Sequence, residues 1–442
     1  MFDSKKFTIR KMQSSKTIDL KSTHKFPRKG MSKYQIGNRI RLVSNRLELN
    51  EDNYNLGRYY SKPPKISRDV WKKLLVYNPN NNGNWSDDID LKELNTTFSL
   101  EREVINALKS LYWAKKNIKG YLASGATEGN ILSTWMGREY LKKKTAGKIC
   151  LLKTNLTHSS VSKSADIVDI KQFVIPLNGE TWGMDAKLLT ERIKKLYKGG
   201  YRGFLIPLTI GYNIGSSDDY KQIIKLTRTI TKKRNIELFF WLDAAWNGLI
   251  EPFISNKFKP FGYSEIKTLV VDFHKFFAIP YPAGMILYRS NLERLIERKV
   301  IYSGEKDITL LGSRPGASAA ACWSAIHYFG KISYRKKVNI LLKNKTQFIS
   351  RIKEISRKIK VITSCGGLTA GVIFQGLKRN KLPSTIDKKY NLLVTPKISL
   401  LFENNKVKDY YIYRFHFIVK YQKSIIDKFI NEVKCEYQKK TE

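Results

Sequence analysis

The chain has 442 residues, 42% of them hydrophobic and 12% aromatic, and its 81 lysines and arginines against 38 acidic residues give a formal charge of +43. This length supports a large core and more than one folding unit, and this composition excludes an intrinsically disordered chain. No apolar run reaches the ~18 residues of a membrane-spanning helix, and the N-terminus lacks the apolar core of a secretory signal.

Residues 1–60 are basic and weakly patterned, and are read as an N-terminal extension. Their Lys- and Ser-rich start is partly transit-peptide-like, but arginine is sparse there. The four cysteines, Cys150, Cys322, Cys365 and Cys435, show no C-x-x-C spacing and no Cys/His cluster of zinc-ligand spacing. A reduced, intracellular, cytoplasmic protein without a metal is expected. Charge of this size attracts nucleic acid or an anionic membrane. The lysines are nevertheless spread along the whole chain with no nucleic-acid motif, so no dedicated nucleic-acid partner is expected.

A segment of helix and loop spans residues 61–118. It holds a short helical pattern, Val70–Val76, and then the loop formers YNPNNNGNWSDD. Val104, Leu108, Leu111 and Tyr112 give Ser99–Lys115 helical spacing, opened by Ser99. A large α/β unit is expected over 119–330. It starts with GYLASGATEGN, whose small residues Ala123–Thr127 stand where a strand or turn meets a helix N-terminus. Free N–H groups and the helix dipole favour a phosphate there, although a helix capped by Thr127 and binding nothing reads the same way.

From this point strands alternate with helices. Strands are predicted at Ile149–Lys153, Phe173–Pro176, Gly203–Thr209, Glu237–Ala244 and Thr268–Val271, with helices at Ser160–Ile167, Asp185–Tyr197 and Tyr220–Lys232. That rhythm predicts a mainly parallel sheet covered on both faces, with ligands bound beyond the carboxyl ends of its strands. His158, Thr209, Asp243 and Lys275 all fall at or just past such ends. Met285–Tyr288 reads as an antiparallel partner of Thr268–Val271. Gly312-Ser313-Arg314 reads as a tight polar turn before a small-residue helix. A smaller α+β unit is expected over 331–442, with helices Ser333–Lys358 and Gln422–Tyr437 around strands Val361–Thr363 and Thr369–Gln375.

A lysine at the mouth of a buried strand is poorly solvated, which makes its amine nucleophilic, as a Schiff-base lysine must be. A solvated loop lysine has the same local sequence. The wider set suits a pyridoxal-type cofactor. Such a group needs a helix N-terminus for its phosphate, a carboxylate for its ring nitrogen, a lysine for its aldehyde and a flat side chain to stack on. Ala123–Thr127, Asp243, Lys275 and His158 fill these needs in turn. Each also has a plain structural reading, as a capped helix, a strand-end carboxylate, a loop lysine and a helix N-terminal polar residue.

GYLASGATEGN, THSSVSKSA, WLDAAWNG, VDFHKFFAIPYPAG and DITLLGSRPG, in this order, resemble the group II pyridoxal-phosphate-dependent amino-acid decarboxylases. The likeness runs from about Asn95 to Trp323, and IYSGEKDITLLGSRPG is similar to the short subgroup with histidine and serine decarboxylases. The resemblance implies a fold of the aspartate-aminotransferase type (fold type I) with a mainly parallel seven-stranded central sheet, and a homodimer with active sites at its interface. It implies pyridoxal 5′-phosphate as cofactor and conversion of an L-amino acid to its amine and carbon dioxide through a Schiff base on Lys275. In this likeness Asp243 pairs with the ring nitrogen, His158 stacks on one ring face and Ala245 packs on the other. Ala126 and Thr127 hold the phosphate with His274 assisting, Tyr302 is the protonating tyrosine of a mobile loop, and Ser313 reaches the partner subunit's cofactor. Ala126, Ser159, Pro315 and Ala317 depart from the residues usual in the family. Two alternatives are a related carbon–carbon lyase resembling sphingosine-phosphate lyase, and a non-catalytic basic relative that binds anionic surfaces.

Overall fold

Continuous apolar runs, not alternating ones, mark the strands at the centre of the chain, because helices cover the sheet on both faces. The computed structural model describes residues 31–49, 55–57, 61–82, 96–231, 234–302, 306–395, 397–403 and 407–439. In chain order the helices and strands begin with α1 (Lys33–Leu49), α2 (Lys65–Leu75), β1 (Asn80–Asn82), α3 (Thr97–Leu111), β2 (Ile118–Tyr121), α4 (Ala126–Lys144), β3 (Lys148–Lys153), α5 (Ser159–Ile167), β4 (Lys171–Val174), α6 (Ala186–Lys198), β5 (Tyr201–Thr209), α7 (Tyr220–Thr231), β6 (Glu237–Asp243), α8 (Glu251–Ile254), β7 (Ile266–Asp272) and β8 (Gly284–Arg289). They continue with β9 (Arg298–Lys299), β10 (Lys306–Asp307), β11 (Ser313–Pro315), α9 (Gly316–Ile355), β12 (Ile359–Thr363), β13 (Thr369–Phe374), α10 (Ser384–Lys389), β14 (Leu393–Val394), β15 (Ile398–Leu401), β16 (Val407–Tyr410), β17 (Tyr413–His416) and α11 (Lys423–Gln438).

The expected seven-stranded sheet is present, in the order β2-β8-β7-β6-β5-β3-β4. Its β4, β3, β5, β6 and β7 run parallel, while β8 is antiparallel to both β7 and β2. Side chains alternate between two cores. Phe239, Trp241 and Val270 pack with Leu132 and Met136 of α4. Phe240, Leu242, Leu269 and Val271 pack on the opposite face with Ile223 and Ile224 of α7 and Val104 and Leu108 of α3. Burying each such side chain contributes about 1.5–3 kcal/mol. Helix α4 lies close enough to the sheet that a Cβ at Gly129 would stand 2.4 Å from Val270 Cγ1. That close approach brings the N-terminus of α4 over the carboxyl ends of β6 and β7.

The C-terminal part forms a four-stranded antiparallel sheet in the order β12-β13-β17-β14. Phe348 of α9 and Phe429 of α11 pack on Phe415 of β17. The small-residue helix and the helix expected from Ser333 follow one another within Gly316–Ile355 as two helices, separated where Gly330 takes φ +62°. The chain before Asn53 is a unit of its own. In it the basic stretch read as an extension holds the 17-residue helix α1, whose Ile36, Ile40, Val43 and Leu47 are exposed along one stripe. Among the described residues no helix is long and apolar enough to cross a membrane.

Three local expectations are corrected. Helix α3 is capped by Thr96, whose hydroxyl accepts from Ser99 N, and not by Ser99. Thr127 does not cap α4; Gly125 stands at that position, without a side-chain cap. The turn at Gly312–Arg314 and part of the Asn-rich loop are strands, since Asn80–Asn82 pairs antiparallel with Ser313–Pro315. A buried ion pair explains this pairing. Arg314 donates to Glu101 of α3, to Leu122 O and to Asn82 O. Glu101 in turn accepts from Leu122 N at 2.7 Å and from Asn81 Nδ2 at 2.5 Å. Removing one partner strands the other charge in a site with no water-like solvation. Arg314→Met should therefore cost about 3–5 kcal/mol in urea denaturation; a loss near zero would show that the ion pair does not fix these strands.

Candidate active site

Strands β5, β6 and β7 end side by side, so their last residues share one edge, with Thr209 opposite Asp243 in register. Asp243 is 4% exposed. Its Oδ2 accepts from Asn130 Nδ2 at 2.9 Å and its Oδ1 from Ala245 N at 3.3 Å. Asn130 projects from the second turn of α4, and its amide is oriented because its Oδ1 accepts from Trp241 Nε1 at 3.0 Å. The same amide donates to Ser160 Oγ at 3.0 Å, and Ser160 Oγ lies 2.8 Å from His158 Nδ1. A hydrogen-bonded line thus joins His158, at the N-cap of α5, to Asp243 through Ser160 and Asn130.

Lys275 lies just beyond β7. Its Nζ stands 2.8 Å from Asp272 Oδ2 and 5.0 Å from the centroid of the Trp246 ring. The lysine side chain is 22% exposed, in keeping with a strand-mouth position, and it is ion-paired and faces an indole. Asp272 is 4% exposed and holds two further partners. Its Oδ1 accepts from Ala126 N at 2.7 Å, and its Oδ2 is 3.4 Å from His274 Nε2. Burial alone would push its carboxyl up, but Lys275 and His274 more than offset this and hold it well below the usual carboxylate range. His274 stacks on Tyr281 with centroids 4.1 Å apart, and its buried Nδ1 has no hydrogen-bond partner among the described residues.

Behind Trp246 lies His416 of β17, stacked on the indole at 4.7 Å and 6°. His416 is fully buried, with Nδ1 3.0 Å from Thr369 Oγ1. Burial first, then the charges of Arg414 and Lys275, push its pKa down to about 3. A second buried carboxylate, Asp218, accepts from Met184 N at 2.6 Å and Thr209 N at 2.7 Å. Burial raises it to about 6 despite those donors, with Asp243 adding to the rise.

The structure therefore brings Asp243, Ala245, His158, Ala126, His274 and Lys275 to one edge. Thr127 is exposed in an otherwise buried first turn of α4. Two expected residues stand apart from these. Tyr302 is 94% exposed, and Ser313 is exposed on β11, where its hydroxyl accepts from Asn80 Nδ2 at 3.2 Å. Sequence reasoning gave no role to Asp272, Asn130, Trp246 or His416. Asp272 had a usable signal, three residues before Lys275 at the end of the same apolar run. His416 had none, since it comes from a strand 141 positions away in a different sheet.

Residues 92–375 match the family described as "Pyridoxal-dependent decarboxylase conserved domain". The chain is 27% identical over 301 residues to tryptophan decarboxylase of Clostridium sporogenes, covering 66% of this chain and 71% of that one. It is 28% identical over 308 residues to histidine decarboxylase of Vibrio anguillarum, covering 68% and 75%. The structure of L-methionine decarboxylase from Streptomyces sp. 590 superposes with a TM-score of 0.77 at 14% identity, covering 93% of this chain and 96% of that one.

The depressed His416 pKa has a stability consequence. Between its ordinary value of 6.5 and the folded value of about 3, the unfolded chain takes a proton that the folded chain refuses. Stability linked to His416 is complete above that window and is lost as pH falls through it. Wild-type protein should lose up to ~2–3 kcal/mol more than His416→Asn between about pH 6.5 and 4.5 in urea melts. Parallel pH profiles for the two proteins would show that His416 is not held neutral.

Proposed function

The chain belongs to the pyridoxal-dependent decarboxylase family, and we propose that it converts an L-amino acid to the corresponding amine and carbon dioxide with Lys275 as the covalent attachment point for pyridoxal 5′-phosphate. The observation that carries the assignment to residues is the shared edge. A lysine amine and a buried, doubly hydrogen-bonded carboxylate come from adjacent parallel strands, with an N-terminal helix turn beside them.

The residues fit the cofactor. Lys275 supplies the primary amine. Asp243 presents a carboxylate whose orientation is fixed by Asn130 and by Ala245 N. His158 is held in place by Ser160, and Ala245 supplies a small surface that a flat ring tolerates. The buried Nδ1 of His274 is an unpartnered polar atom near the N-terminus of α4, and Ala126 and Thr127 sit in that first turn. When bound, the cofactor supplies the electron sink for the bond to the departing carboxylate.

The chain's own groups do the rest. Asp243 would face the ring nitrogen and offer it a buried carboxylate acceptor where water is excluded. Asn130 stops that carboxylate from rotating, because Trp241 fixes the amide. Asp272 holds the Lys275 ammonium beside Trp246 and sets where the amine starts from. Tyr302 is the proposed proton donor to the alpha carbon. It is not bonded to Lys275 or Asp243, so this role requires its loop to move or a second subunit to supply it. Ser313 is proposed to act across a homodimer interface for the same reason; sedimentation as a monomer at assay concentration would overturn that part.

Supplied with cofactor and a panel of L-amino acids, the protein should release carbon dioxide and a primary amine. Borohydride should fix the cofactor to Lys275, and Lys275→Ala should lose both the label and the turnover. An aldehyde product would instead mark a carbon–carbon lyase. Asp243→Asn should keep the borohydride label while lowering kcat by about 10²–10³-fold, the usual size of one lost charge at such a site. Unchanged kcat would remove Asp243 from the chemistry.

A further inference from the structure

Two lysines of α9, Lys337 and Lys345, are mostly buried, and burial pushes both down to about 8. Their surroundings differ. Lys345 donates to Thr363 Oγ1 at 3.2 Å, Ser364 O at 2.8 Å and Gly367 O at 2.5 Å, which engages all three of its N–H groups. Lys337 donates once, to Phe276 O at 3.4 Å, and lies over the Phe276 ring at 4.8 Å. Its other two N–H groups have no protein acceptor among the described residues. A buried ammonium left short of acceptors is costly, so the missing ones are expected from outside the chain.

Lys337 lines a cavity of about 600 Å³. Its floor is apolar, with the buried residues Ala278, Leu341 and Ile418. Lys62, Lys336 and Lys420 line it as well, from three different segments, and no described acidic residue does. Lys336, Lys337 and Lys420 have no carboxylate partner among the described residues. We propose that this cavity binds a small organic anion with an apolar body and a carboxylate or phosphate head, whose oxygens complete the shell of Lys337. The head takes charge-assisted hydrogen bonds from Lys337 within a field made only of cations, and the body covers the apolar floor. A bare inorganic anion leaves that floor in water, and a neutral alcohol leaves the lysines without a counter-charge, so both halves of the ligand are required. Ala278 belongs to the turn that follows Lys275, and the occupant therefore packs on the segment that carries the proposed attachment lysine.

Isothermal titration of the full-length protein, loaded with pyridoxal 5′-phosphate and freed of excess, tests this with octanoate, octyl phosphate, 1-octanol and inorganic phosphate. Octanoate or octyl phosphate should bind at one site per chain, and the tighter of the two identifies the head group. 1-Octanol and inorganic phosphate should each bind at least ~10-fold more weakly. Lys337→Met keeps an apolar stem and should weaken the anion by ~10-fold or more, with 1-octanol unchanged. The charged groups that line the cavity with Lys337 are Lys62, Lys336 and Lys420, all exposed, and the wall at Phe276 and Ala278 brings none. At about pH 8.5 binding to wild type should therefore take up part of a proton, because the anion restores a charge that burial disfavours. Heats measured in buffers of different ionisation enthalpy read that uptake, and Lys337→Met should lack it. No saturable binding of either anion at millimolar concentration, several equivalent sites, equal affinity for octanoate and 1-octanol, or anion binding unchanged in Lys337→Met overturns the proposal. The four ligands compared on wild type decide the matter if the variant does not fold.

Discussion

A sheet sealed on both faces has room for polar side chains only where its strands stop, and this constraint arranges everything else in the molecule. Strands β5, β6 and β7 carry apolar runs (Phe204–Leu208, Leu238–Leu242 and Leu269–Val271) that end at Thr209, Asp243 and Asp272. The parallel direction forces those changes onto one edge. Helix α4, drawn against the sheet by glycine at 129, places its first N–H groups over that edge. Two buried carboxylates are tolerated because each is fully engaged: Asp243 by an amide and a backbone N–H, Asp272 by a backbone N–H, the Lys275 side chain and the His274 ring.

The strand positions, and that of Lys275 just past one of them, were legible because they depend on local signals. Apolar runs bounded by turn residues give strands, and alternation with amphipathic helices gives parallel pairing. The antiparallel β7·β8 pair was readable for the same reason, with a short Pro/Gly-rich connection between two apolar runs. What escaped were interactions made across long sequence separations. Asn80–Asn82 looked like loop because its strand character comes from Arg314, whose partners Glu101 and Leu122 lie elsewhere in the chain. The cap of α4 was sought within its own sequence and lies 146 residues away, at Asp272. His416 is part of the site by stacking on Trp246, and no spacing rule connects the two.

The charge of +43 bears on the site as well as on the surface. With acids so few, those that are buried stand out, and Glu101, Asp243 and Asp272 each answer a specific donor set. Asp218, lifted to about 6 chiefly by burial and further by the charge of Asp243, is a second buried carboxylate near that edge. Apart from those around the Lys337 cavity, the lysines outside these pairs are spread along the chain, which agrees with a compositional origin for most of the positive charge.

Trp246 lies between two groups of different electronic character, with the ammonium of Lys275 5.0 Å from its ring on one side and the neutral imidazole of His416 4.7 Å away on the other. An indole so placed is an intrinsic optical gauge. Converting that ammonium to another chemical state alters the field across the ring, and its emission should report the event directly, without any added label and before any product leaves.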